Sequence, residues 1–272
     1  MIQELPKVRH QEHQTRKGMM IIGIESLVRK MRHQKNQVGV LNILLMDFMR
    51  GDGKMTKIKY NKNRYNFYSL ISSWYFEFGD LNKLHKSEDG LDVNQITRET
   101  DQSTIFHKTF YTEMKKNKHF TRIYKRFIKE IIKPRYNEEI LYQKWPTIRF
   151  HFPNNIAVGE FHKDRDYRDS DWAMKVEEVN YYLPLTDAYD TNTIWTETEE
   201  DKGDYQPINT EYGEVVEWNA TKLTHGNKKN LTDKTRVSFD FRVIPKSRFV
   251  KTKKTTINTN TPFDIGGYYE II

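Results

Sequence analysis

Residues 236–243 read Arg-Val-Ser-Phe-Asp-Phe-Arg-Val, a strict alternation of polar and apolar side chains that has the period of an extended strand and not of a helix. One face of such a strand holds Arg236, Ser238, Asp240 and Arg242; the other holds Val237, Phe239, Phe241 and Val243. Two arrangements satisfy the pattern. In an open sandwich the apolar face points into the core and the charged face meets water. In a barrel covered by helices from outside, the apolar face meets the helices and the charged face lines the interior. The strand alone does not choose between them.

It is the last in a series of candidate strands at 146–152, 157–163, 178–185, 192–198, 206–211, 213–219, 221–226 and 235–244, separated by turn-forming runs such as PNN, DYRDSD, TDAYD and GNKKNLTDK. The first half reads differently. FYSLISSWYFEFGDLNKL, residues 67–84, has mixed three- and four-residue apolar spacing and is expected to form a buried helix. Further on, Phe120, Ile123, Tyr124, Phe127, Ile128, Ile131 and Ile132 recur with helical period until Pro134, which cannot donate the next hydrogen bond. The first forty residues show no clear period. The expected class is therefore α+β: a mainly helical block over 1–140 in the same globule, a jelly-roll core over 141–250 with the helices packed on one sheet, and a tail over 251–272.

Composition narrows the chemistry. The chain has 272 residues, 13% of them aromatic, which suits a folded core rather than disorder. Cysteine is absent, so a disulfide framework, a thiolate nucleophile and Cys-ligated zinc or iron–sulfur centres are excluded, and a reducing cytoplasm is the expected compartment. No apolar run is long enough to cross a bilayer, and MIQELPKVRHQEHQTRK lacks the apolar stretch of a secretion signal. The net charge of +8 is concentrated in residues 115–135 and 246–254, which read as a solvated helix face and a tail. Nucleic acid is accordingly the disfavoured partner; an anionic small molecule would be served by the same field.

Within the β half, His162 and Asp164 stand two positions apart at the end of a candidate strand, on one face. Of the nine histidines, only His151 and His225 also lie in this half outside that pair, and His225 ends a later candidate strand before a glycine that would let the chain turn. The resulting H-x-D…H set supplies two imidazoles and one carboxylate, the facial triad of non-haem Fe(II) oxygenases. A surface HKD triplet and an unrelated strand-end histidine would read the same way. Arg236, eleven residues beyond His225, adds weight: its planar fork could anchor the distal carboxylate of an oxo-acid cosubstrate, with Ser238 adding a hydroxyl from the same face.

Several motifs carry a resemblance: YQKWPTIRFHFPNNIAVGEFHKDRDY, EVNYYLPLTDAYDTNTIWTET, KGDYQPI, YGEVVEWNATKLTHGN, TRVSFDFRVIP and the closing FDIGGYYEI. With them the span from Tyr142 to Pro245 resembles the Fe(II)/2-oxoglutarate-dependent dioxygenase superfamily, in its phytanoyl-CoA hydroxylase-like branch, and most of all a group of streptomycin-biosynthesis proteins. The resemblance implies a double-stranded β-helix with Fe(II) held by His162, Asp164 and His225. It implies 2-oxoglutarate on Arg236 and Ser238, with Asn227 where related enzymes place a hydroxyl residue, and with Asn180 and Arg149 pointing inward from neighbouring strands. Val237, Phe239 and Phe241 would then meet the helices. The implied reaction uses O2 to hydroxylate a small polar metabolite, such as a sugar or nucleotide-linked sugar, releasing succinate and CO2. The carboxylate at Asp164 favours hydroxylation over halogenation, where a small residue stands instead.

Two alternatives remain at this point. Arg236 and Arg242 form an R-x5-R that nucleic-acid demethylases of the AlkB type also show, and a cupin-like barrel could bind a ligand without chemistry. Lys163, Arg165 and Arg168 beside the metal motif read either as anchors for a phosphate or as solvated loop charges. Tyr181, Tyr182, Trp195 and Trp218 read as a stacking surface or as core.

Overall fold

In the computed structural model of the chain, residues 55–87, 101–157, 160–167, 170–256 and 259–272 are described. The first forty residues and Arg168 lie outside them. The described part is built on two antiparallel sheets, one of seven strands and one of three.

The alternating segment forms the longest strand, β9 (Arg236–Pro245), and the large sheet is organised around it. β3 (Thr147–His151) pairs with its first half, Arg149 opposite Ser238, and β2 (Ile140–Gln143) pairs with its second half, Tyr142 opposite Val243. On its other side lies β4 (Val179–Pro184), with Asn180 opposite Arg242 and Tyr182 opposite Asp240. β7 (Glu214–Trp218) follows β4. The outer strands are β1 (Thr56–Lys59), from the segment expected to be helical, and β10 (Tyr269–Ile271), from the expected tail. The small sheet holds β5 (Ile194–Thr196), β6 (Gln206–Pro207) and β8 (His225–Asn227).

The helices cover the apolar face of β9. α1 (Phe67–Ser73) is followed by short 3-10 turns rather than by continued helix, because Gly79 at φ 82° reverses the chain and Asp80 caps the next turn. α2 (Ile105–Lys116) and α3 (Lys118–Phe127) follow one another with a single residue between them. Asn117 ends the first and, through its side-chain oxygen, accepts from the backbone N–H groups of His119 and Phe120 to start the second. A π-turn over Ile128–Ile132 keeps Ile128 and Ile132 buried, and a 3-10 turn containing Pro134 closes the segment.

Phe239 meets Phe67, Phe120 and Tyr124, and Phe241 meets Tyr124 and Phe127, mostly edge to face at 5.2–6.5 Å between centroids. The choice left open by the alternating strand is thus made: its apolar face lies under the helices. α4 (Ser170–Val176) forms a smaller apolar cluster with Leu141, Ile244, Phe263 and Tyr269, which holds the C-terminal segment to the sheet. No described helix is long and apolar enough to cross a membrane.

Candidate metal centre

His225 opens β8, and His162 pairs with it as a single antiparallel bridge rather than as the end of a strand over 157–163. The backbone N–H of each donates to the carbonyl of the other at 2.9 Å. Directly opposed residues project to one face, and the two imidazoles lie 4.5 Å apart between centroids. Gly226 does not turn the chain as its position suggested; it continues the strand opposite Trp195. A Cβ there would stand 3.0 Å from the Phe161 ring and 3.1 Å from the Glu160 carbonyl, so the glycine lets the segment carrying His162 lie against the strand carrying His225.

Asp164 starts a 3-10 turn, Asp164–Tyr167, and its backbone N–H donates to the Ala220 carbonyl at 2.9 Å. Its Oδ1 lies 3.7 Å from His162 Nε2 and 3.6 Å from His225 Nε2, and the three ligand atoms all lie within 4.8 Å of one another. The other ring nitrogens set the tautomers. His162 Nδ1 is 2.7 Å from the Glu160 carbonyl and His225 Nδ1 is 3.0 Å from that of Leu223, so both Nδ1 atoms donate and both Nε2 atoms are turned toward the carboxylate. Burial lowers the His225 pKa to about 4, which keeps this imidazole neutral and ready to ligate at ordinary pH.

The second carboxylate oxygen is already engaged. Asp164 Oδ2 accepts from Arg242 Nη2 at 2.9 Å, from Arg242 Nε at 3.3 Å and from Asn180 Nδ2 at 2.9 Å. Arg242 is in turn fixed through Nη1, which reaches Asp240 Oδ2 at 3.2 Å, Tyr268 OH at 3.2 Å and Gln143 Oε1 at 3.4 Å. The carboxylate therefore presents Oδ1 alone to its histidine neighbours. Sequence reasoning gives Arg242 no place beside Asp164; the signal available was its position on the polar face of β9.

A partly open cleft lies between the two sheets, and the triad sits in its wall. Arg236, Asn227, Asn180 and Arg149 all line it. Arg236 is 1% exposed and has no carboxylate partner among the described residues: Nη1 reaches Tyr182 OH at 3.4 Å and Asn227 Oδ1 at 3.5 Å, and Nε has no partner there. Ser238 Oγ, beside it on the strand, is also buried without a partner. Polar atoms left bare in this way are what a bound anion would satisfy.

The loop cations turn out otherwise. Lys163 pairs with Asp201 and Glu200, and Arg165 with Glu200 at 2.8 Å, so both are spent on the neighbouring acidic loop. Tyr181 is core: it stacks on Phe241 at 5.1 Å and donates its hydroxyl to Glu217. Trp195 lies beneath the Lys228 ammonium, whereas Tyr182 and Trp218 line the cavity.

No family model matches the chain. Over 219 residues it is 32% identical to the streptomycin biosynthesis protein StrG of Streptomyces griseus, an alignment that spans 80% of this chain and 99% of that protein. Among solved structures it is similar to CytC3 with Fe(II) and alpha-ketoglutarate, at a TM-score of 0.45 and 10% identity over 80% of this chain and 83% of that one. It is also similar to AviO1 from Streptomyces viridochromogenes Tue57, at 0.41 and 13% over 75% and 95% of the two chains. EctD from S. alaskensis with 2-oxoglutarate and 5-hydroxyectoine matches at 0.39 and 11% over 79% and 77%.

Proposed function

The chain belongs to the family of the streptomycin biosynthesis protein StrG, and from that premise we propose that it is a non-haem Fe(II)/2-oxoglutarate-dependent oxygenase that hydroxylates a small polar metabolite. The observation that carries the reading is the convergence of His162 Nε2, His225 Nε2 and Asp164 Oδ1 in a cavity that also holds a buried arginine with no carboxylate of its own. Nitrogen and oxygen donors without thiolate suit Fe(II), and three of them leave positions for a chelating cosubstrate and O2. The two sheets are read as the halves of a double-stranded β-helix with the centre between them.

The residues fit both absent groups. Fe(II) would take the three ligand atoms just named; 2-oxoglutarate would place its distal carboxylate on Arg236, with Ser238 Oγ and Asn227 completing its contacts. Bound together, iron and cosubstrate supply the oxidation, consuming O2 and releasing succinate and CO2. The protein's part is positioning. The carbonyls of Glu160 and Leu223 hold the ring orientations, and Arg242 and Asn180 restrict Asp164 to one ligand oxygen. Phe150, Tyr182 and Trp218 wall the cavity and limit water. A substrate such as a sugar or nucleotide-linked sugar would meet the polar lining that Arg149, Asn180 and Asp240 give the cleft. The local neutralisation of Lys163 and Arg165 supports a small molecule over a nucleic-acid strand, which would need a basic track.

The deciding experiment measures succinate formed from 2-oxoglutarate by the purified chain with Fe(II) under air. Slow, iron-dependent succinate release without added substrate is expected, and its loss in His225→Ala. A protein that binds 2-oxoglutarate yet forms no succinate under any condition is the non-catalytic barrel instead.

A further inference from the structure

Three guanidinium groups and two carboxylates line the cavity, and they are not evenly matched. Arg242 engages both carboxylates, at 2.9 Å to Asp164 and 3.2 Å to Asp240. Arg149 reaches only Asp240, at 3.5 Å through Nε, while its Nη1 is buried with no partner. Arg236 reaches neither. Buried polar nitrogens without an acceptor are costly, so the bare atoms of Arg236 and Arg149 mark places for an anion.

The count can be carried through on the reading above, on which this inference rests. A divalent metal is balanced by Asp164 and one carboxylate of 2-oxoglutarate. The second carboxylate balances Arg236, and Arg242 lies among Asp164, Asp240 and Glu178. Arg149 has only its 3.5 Å contact to Asp240, which Arg242 holds more closely, and its buried Nη1 has no partner among the described residues. The division between the two free arginines follows from depth. Arg236 is 1% exposed, which suits a cosubstrate held in every turnover; the Arg149 side chain is 27% exposed, as suits an anchor for a substrate that comes and goes. The cations beside the metal motif cannot share this task, since Lys163 and Arg165 already face Glu200 and Asp201.

We propose that Arg149 is the substrate's anion anchor, and that the substrate carries a carboxylate or a phosphate group which its guanidinium receives beside the metal. The planar fork can hold either group with two hydrogen bonds, and a neutral sugar would leave it unmatched. β3 places Arg149 directly across from Ser238, so anchor and cosubstrate pocket are adjacent on one sheet face.

The test uses the full chain loaded with Mn(II) and saturating 2-oxoglutarate, titrated calorimetrically with inorganic phosphate and, separately, with acetate. Wild type, Arg149→Met, Arg149→Lys and the loop control Arg165→Met are compared. At least one anion is expected to bind the wild type and Arg165→Met alike. Arg149→Met should weaken it about tenfold or more, and Arg149→Lys should recover part of the loss. Preference for acetate points to a carboxylate substrate and preference for phosphate to a phosphate ester. The 2-oxoglutarate affinity should stay within about threefold in all four proteins. Anion binding indifferent to Arg149→Met, or absent from the wild type, overturns the assignment; so does a large loss of 2-oxoglutarate affinity in Arg149→Met, which would give this arginine to the cosubstrate. A wild type that binds no 2-oxoglutarate overturns the oxygenase reading itself.

Discussion

Arg242 and Asp164 lie 78 residues apart in the chain, and the guanidinium of the first donates twice to a single oxygen, Oδ2, of the second, at 2.9 and 3.3 Å. That oxygen is thereby removed from the metal site and its partner Oδ1 is aimed at the histidines. Groups that orient a ligand in this way contribute to metal affinity without touching the ion.

Arg242→Ala should therefore lower Fe(II) or Mn(II) affinity by about 10- to 100-fold, while His162 and His225 still hold some metal. Asn180→Ala removes one of the three hydrogen bonds to Oδ2 and should cost less. Titration with metal under anaerobic conditions reads both. Wild-type affinity in Arg242→Ala would show that the carboxylate needs no brace.

Gly226→Ala tests the contact between the two histidine-bearing segments. Its Cβ would press on Phe161 and on the Glu160 carbonyl, the acceptor that orients His162. Metal affinity should fall while the unfolding temperature changes little, because the helix-covered core is distant from the clash. Equal loss of stability and affinity would place the effect on folding instead.

The two faces of β9 should respond oppositely. Phe239→Ala opens a cavity under α1 and α3 and should cost about 3–5 kcal/mol in chemical denaturation. Ser238→Ala removes a buried hydroxyl that has no partner, so the unliganded protein should be as stable as wild type or slightly more so. Its 2-oxoglutarate affinity should nonetheless fall. Unchanged affinity would remove Ser238 from the cosubstrate contacts.

Acid should destabilise the fold through two histidines away from the metal. Burial, with Arg149 near one and Arg236 near the other, lowers the pKa values of His107 and His151 from 6.5 to about 3. The unfolded chain takes up these protons as pH drops below 6.5 and the folded chain does not, so stability falls with falling pH. The slope is ~1.4 kcal/mol per pH unit for each group. Melting temperatures of the metal-free protein between pH 6.5 and 5 should show it, and His107→Gln or His151→Gln should each flatten the curve. A pH-independent melting temperature across that window would contradict both assignments.

Asp164 also bears on the reaction's outcome. With the carboxylate on the metal, added chloride should leave the product unchanged, and Asp164→Gly should vacate that position and weaken metal binding. Chlorinated product from the wild type would remove Asp164 from the ligand set.

What the sequence determined alone was local: a period of two in residues 236–243, a helical period in 120–132, and donor types at His162, Asp164, His225 and Arg236 suited to a metal and an anion. Each of these is written within a few residues or in the identity of a side chain, so it can be read without the fold. The tertiary structure decided what depends on distant partners. It set which face of β9 looks inward, because only the packing of Phe67, Phe120 and Tyr124 on Phe239 covers the other face. It added Thr56–Lys59 and Tyr269–Ile271 to the large sheet, since neither short segment has a period of its own strong enough to announce a strand. It placed His162 against His225 through one backbone bridge, and it spent Arg242 on Asp164 while leaving Arg149 Nη1 and Arg236 Nε buried without partners. Ion pairing and strand pairing join residues by their distance in space, and that distance exists only once the chain has folded.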